Sequence, residues 1–96
     1  MSSFSFDLQR LIDICRQNDV SRIGVFGSVA RGQATASSDL DLLVEFRSPK
    51  GLLALVSLER QLSDALGVSV DLLTEAALSP YLRDRITHEL RIVYEA

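Results

Sequence analysis

Gly27-Ser28-Val29-Ala30-Arg31-Gly32, then six residues, then Asp39-Leu40-Asp41-Leu42-Leu43-Val44-Glu45, is the stretch on which the reading of this chain turns. Just before it, Arg22 to Phe26 is short and mostly apolar and predicts a strand that ends at Gly27. Ser28 is then placed to cap a short helix over about 29–33, and 33–38 is small and polar and reads as loop. Leu40 to Phe46 predicts a second strand. Its period of two puts Leu40, Leu42, Val44 and Phe46 on one face and Asp39, Asp41, Leu43 and Glu45 on the other.

The turn has the chemistry of an anion cradle. A glycine at a strand exit lets the backbone bend sharply and approach a ligand closely. N–H groups at a helix start have no internal partner and favour a negative group. The Ser28 hydroxyl adds a donor, and Arg31 can add a charge-assisted contact to a phosphate. A Gly-Ser before a helix is also what an ordinary N-cap looks like, so the carboxylates carry more weight. Residues i and i+2 of a strand point the same way with Cα atoms about 6.5–7 Å apart. Asp39 and Asp41 can therefore converge on one hard cation or bridge two, and such cations complete their shell with water and substrate phosphates. The alternative for the pair alone is a solvated sheet edge.

Asp71 lies in Val68-Ser69-Val70-Asp71-Leu72-Leu73, a third predicted strand with Val68, Val70 and Leu72 on the face opposite Asp71. If that strand pairs beside the second, Asp71 faces the same pocket as Asp39 and Asp41. Three carboxylates suit two metal ions about 3.5–4 Å apart, and Asp71 could take a proton from a nucleophile. Taken alone, Asp71 reads better as an acid on a solvated strand face. Glu45 lies further along and reads as peripheral, and Glu75 as a loop residue. His88 ends a helix near a favourable dipole position and reads as structural or surface. Tyr81 and Tyr94 read as packing residues. Arg83, Arg85 and Arg91 form a basic group that is either a solvated face or a contact for an acidic partner.

Around this centre the chain alternates. Leu8, Leu11, Ile12 and Cys15 predict a helix over about 6–18. Leu52 to Leu66 predicts a long helix with Leu55, Leu58, Leu62 and Leu66 along one side and Gly67 as its C′ residue. Ser79-Pro80 opens a helix that runs to about His88, and Leu90 to Tyr94 predicts a last strand. The order α-β-α-β-α-β-α-β predicts a single α/β sandwich over 1–96, with a mixed central sheet of about four strands flanked by helices.

The bulk properties narrow the partners. With 96 residues there is room for one domain, only modestly stable alone, so a partner subunit would be in keeping with its size. A net charge of −3 disfavours a nucleic-acid partner, because a backbone-gripping surface carries a basic surplus. Cys15 is the only cysteine, so no internal disulfide can form, and its helical setting predicts a small buried hydrophobe. The N-terminus shows no signal peptide, and no apolar run approaches membrane-spanning length, so a soluble cytoplasmic protein is expected.

Together, Gly27 to Gly32 and Ser38 to Val44 resemble the signature of the DNA polymerase β-like nucleotidyltransferase superfamily, and on a chain this short the minimal nucleotidyltransferase (MNT) group within it. The resemblance covers nearly the whole chain and departs at no motif position. It implies that Gly27 and Ser28 hold the triphosphate of ATP, the co-substrate. It implies that Asp39 and Asp41 bind Mg²⁺, and that Asp71 completes a two-ion site and helps activate the nucleophile. Arg31 matches the motif arginine. The implied reaction is attack of an acceptor hydroxyl on the α-phosphate with release of pyrophosphate. Members of the group pair with helical HEPN toxins, often ribonucleases, and neutralise them by transferring AMP to a side chain, typically tyrosine. The resemblance thus implies an Mg²⁺-dependent protein adenylyltransferase antitoxin. The alternatives are a non-catalytic module that neutralises by complex formation and, less expected, a small-molecule nucleotidyltransferase, since no segment builds an acceptor pocket.

Overall fold

A computed structural model of the chain describes residues 7–30, 32 and 39–96. Its elements run α1 (Leu8–Gln17), β1 (Val20–Phe26), α2 (Gly27–Ala30), β2 (Leu40–Phe46), α3 (Leu52–Leu66), β3 (Val70–Thr74), a 3₁₀ turn (Glu75–Ala77), α4 (Pro80–Glu89) and β4 (Arg91–Glu95). The alternation expected from the sequence is present, with the 3₁₀ turn as an addition. The expected loop over 33–38 and Arg31 lie outside the described residues.

Local chemistry accounts for the helix ends. The Asp7 carboxylate accepts the Arg10 N–H at 3.1 Å and opens α1. At its other end, the Asn18 amide donates to the Ile14 carbonyl at 2.7 Å. Asp19 then turns the chain at φ 60, a conformation that Asp tolerates better than most residues. Gly67 closes α3 at φ 69 and donates its N–H to the Ser63 carbonyl at 3.0 Å, as a left-handed C-terminal glycine should. For α4, the Ser79 hydroxyl accepts the Leu82 N–H at 3.2 Å, and Pro80 fills the first position.

The four strands lie in the order β3-β2-β1-β4. β1 pairs antiparallel with both β2 and β4, while β2 and β3 are parallel, so the sheet is mixed. A parallel pair needs a crossover, and α3 supplies it on one face of the sheet. There the main core forms: Leu11 and Cys15 of α1 and Leu58 and Leu62 of α3 bury against Ile23, Val25, Leu40, Leu42, Val44, Val70 and Leu72. A second, smaller cluster of Phe26, Leu78 and Ile86, with Leu43, Leu73 and Leu90 against it, lies on the other face. Helix α4 therefore covers only part of that face, the one that also carries Asp41 and Asp71.

Two expectations need correction. Helix α2 runs Gly27–Ala30 and so starts two residues before the helix expected over about 29–33, part of which lies outside the described residues. The reason is Gly27 itself, whose positive φ starts the turn as the chain leaves β1. Tyr81 is not a packing residue: it is 82% exposed. Ile86 is the buried residue of α4, and position 81 lies about 140° around the helix from it. Tyr94 does pack against the main core, and the Arg16 guanidinium stands 5.9 Å from its ring centroid. Cys15 is fully buried, and burial pushes its thiol pKa up to about 12. Among the described residues, no helix is long and apolar enough to cross a membrane.

Candidate functional site

Strand register assembles the site. Asp41 of β2 is directly opposite Phe26 of β1 on one side and Asp71 of β3 on the other. Register partners in a sheet point to the same face, and neighbouring strands lie about 4.8 Å apart. The third predicted strand thus does pair beside the second, and it brings Asp71 next to Asp41. Asp39 precedes β2 by one residue, two before Asp41 and on the same side of the chain. Asp39 and Asp71 are exposed, while Asp41 is half-buried.

Because Phe26 pairs with Asp41, the residue after it must turn beside the Asp41 side chain. That residue is Gly27, at φ +74. A Cβ placed there would run into Asp41 Oδ2 and stand 3.2 Å from its Cγ. Glycine is required on both counts: the left-handed φ, and the room taken by the carboxylate. The turn and Asp41, read from the sequence as parts of two motifs, pack together in the fold. For Ser28 the backbone alone is described, within α2, and Arg31 lies outside the described residues.

A further carboxylate belongs to this unit. The Gly27 N–H donates to Glu89 Oε2 at 3.4 Å, from the last residue of α4. Nothing in the local pattern around Glu89 marks it. The contact joins residues 62 apart, and only the return of α4 over the sheet face makes it.

The donor set is oxygen-only, as a hard divalent cation prefers. Among the described residues, no three His, Cys, Asp or Glu side chains close into a ready-made cage. Asp39, Asp41 and Asp71 share one end and one face of the sheet without forming a closed cluster. Mg²⁺ takes one or two carboxylates together with water and substrate phosphates, so oxygen ligands of this kind could hold it.

The remaining polar residues fall away from this centre. Glu45 forms an ion pair with Arg22 at 3.0 Å, well along β2, and is peripheral as expected. Glu75 lies in the 3₁₀ turn. His88 is exposed, with Nδ1 2.8 Å from the Asp84 carbonyl oxygen of its own helix. Arg83, Arg85 and Arg91 are exposed.

Comparison with known proteins agrees with this geometry. The family model of the nucleotidyltransferase domain matches residues 8–93. A Methanocaldococcus jannaschii protein named as a candidate protein adenylyltransferase, MJ0435, is 43% identical over 81 residues, spanning 84% of this chain and 87% of its own length. The protein adenylyltransferase MntA of Thermococcus cleftensis is 39% identical over 71 residues, spanning 74% of this chain and 72% of its own. A crystal structure of a toxin–antitoxin with AMP-PNP superposes with a TM-score of 0.82 at 24% identity, over 94% of this chain and 74% of that one. The last likeness is one of fold.

Proposed function

Because the chain belongs to the nucleotidyltransferase domain family, we propose that it is a protein adenylyltransferase that neutralises a HEPN-type toxin by moving AMP from ATP onto a toxin hydroxyl, with tyrosine the favoured acceptor. The observation that carries this reading is the register that sets Asp41 beside Asp71 and packs Asp41 against the Gly27 turn. A turn alone would bind a nucleotide. A turn packed on neighbouring carboxylates could also seat a divalent cation against the phosphates, whose charge would offset the negative charge that shifts when the α-phosphate is attacked. The names of the relatives, protein adenylyltransferases, point the same way.

In this reading the backbone of the Gly27–Ser28 turn, with Arg31, holds the triphosphate. Asp39, Asp41 and Asp71 would hold Mg²⁺ as a two-ion site. When bound, Mg²⁺ neutralises phosphate charge and eases departure of pyrophosphate. Asp71, at the exposed edge of the set, accepts the proton of the incoming hydroxyl. The hydroxyl oxygen bonds to the α-phosphorus, the bond to the bridging oxygen of the β-phosphate breaks, and pyrophosphate leaves. The acceptor hydroxyl would be presented by a second protein, the toxin.

The test is label transfer from α-labelled ATP to a HEPN-type toxin from the same genome, in the presence of Mg²⁺. Wild-type protein is expected to label the toxin and Asp39→Ala/Asp41→Ala to leave it unlabelled. Equal labelling by the two proteins would sink the reading.

A further inference from the structure

β3 is an edge strand, and its outer backbone groups need partners. Asp71 pairs in register with Asp41 on the inner side. The N–H groups on either side of Asp71 both go to side chains of α3. The Leu72 N–H donates to Glu59 Oε2 at 3.0 Å, and the Val70 N–H donates to Ser63 Oγ at 3.1 Å. Glu59 and Ser63 are four residues apart, so they stack on one side of α3. They flank Leu58 and Leu62, which fill the core beneath the sheet. Helix α3 thus reaches around the sheet edge and grips the strand immediately before and after the acid.

From this we propose that Glu59 and Ser63 are positioning residues for Asp71, an inference that rests on the reading of Asp71 as part of the metal site. An edge strand held on one side only can slide or fray, and a carboxylate at its exposed face moves with it. The two side-chain acceptors replace the missing neighbouring strand. The Glu59 bond is charge-assisted and half-buried, which makes it the stronger of the two. The consequence is specific: loss of the Glu59 acceptor displaces Asp71 but leaves the Gly27 turn, which is held by β1, β2 and Glu89, in place.

The experiment measures two affinities on the full chain. Mn²⁺, as an electron-spin-visible probe, is titrated in the presence of a non-hydrolysable ATP analogue, and a fluorescent ATP analogue is titrated without metal. Glu59→Ala is expected to weaken Mn²⁺ binding about tenfold, the scale seen when groups that orient metal ligands are removed, with metal-free nucleotide affinity unchanged. Ser63→Ala is expected to shift Mn²⁺ binding in the same direction by less. Glu59→Gln, whose amide oxygen can still accept the Leu72 N–H, is expected to restore Mn²⁺ binding. If Glu59→Ala does not fold, Glu59→Asp, one methylene too short, serves in its place. Asp71→Asn separates the two ways to be wrong. Normal Mn²⁺ binding by Asp71→Asn overturns the reading of Asp71 and the inference with it. Weakened binding by Asp71→Asn together with wild-type binding by Glu59→Ala overturns the inference alone, as does failure of Glu59→Gln to restore.

Discussion

Gly27 carries two requirements at one position, and they are separable by experiment. Its φ of +74 disfavours any L side chain, by about 1–2 kcal/mol in the left-handed region. A Cβ would in addition collide with Asp41 Oδ2. Gly27→Ala is therefore expected to lower unfolding free energy by at least the first amount in a urea titration, and to weaken binding of a fluorescent ATP analogue. Unchanged nucleotide affinity would mean that the turn is scaffold only. The need for glycine was legible in the sequence, from its place between a strand and a short helix. The collision was not, because it depends on the pairing of Phe26 with Asp41, a contact between two strands that no local pattern announces. Glu89 and Glu59 were hidden for a similar reason. Each acts on a backbone N–H of another element, and backbone groups leave no trace in residue identity.

Elements were readable in proportion to how much of their pattern is local. The bounds of β2 and α3 follow directly from alternation in Leu40–Phe46 and from the leucine stripe that Gly67 ends. β3 begins at Val70, two residues after the apolar run does, because pairing with β2 starts at Leu40 opposite Val70. The parallel pairing also has an energetic consequence. Carboxylates placed directly across neighbouring strands repel, at a scale of about 0.2–1 kcal/mol. Asp71→Asn is thus expected to raise the melting temperature of the metal-free protein slightly while abolishing adenylyl transfer. Calorimetry beside the label-transfer assay checks this, and a melting temperature lowered by Asp71→Asn would show that the acid is structural.

The molecule as a whole is asymmetric. One sheet face is sealed by α1 and α3, and the other is only partly covered by α4 and carries the acids. Two groups add pH-dependent contributions to stability. The Asp19 carboxyl lies below the usual carboxylate range, first because the Ser48 hydroxyl donates to it at 2.9 Å and then because Lys50 stands 3.2 Å away. Its folded pKa is depressed, so its contribution is present above about pH 3.9, the unfolded value, and is lost as pH falls further. The Cys15 thiol is raised from 9.0 to about 12 by burial, so its contribution is intact below pH 9 and is lost as pH climbs toward 12. Urea midpoints across pH should show a plateau between these limits, with a shallower alkaline limb in Cys15→Ala. Native Cys15 should also resist a thiol reagent at pH 8 and react once the chain is unfolded.

On the proposed function, this asymmetric face transfers AMP to a protein. Intact-mass measurement of a HEPN-type toxin from the same genome, after incubation with this chain, ATP and Mg²⁺, decides it. A mass gain of one or more AMP units is expected, absent when Mg²⁺ is chelated or when Asp39→Ala/Asp41→Ala replaces the wild type. A toxin neutralised at unchanged mass would rule the transfer out.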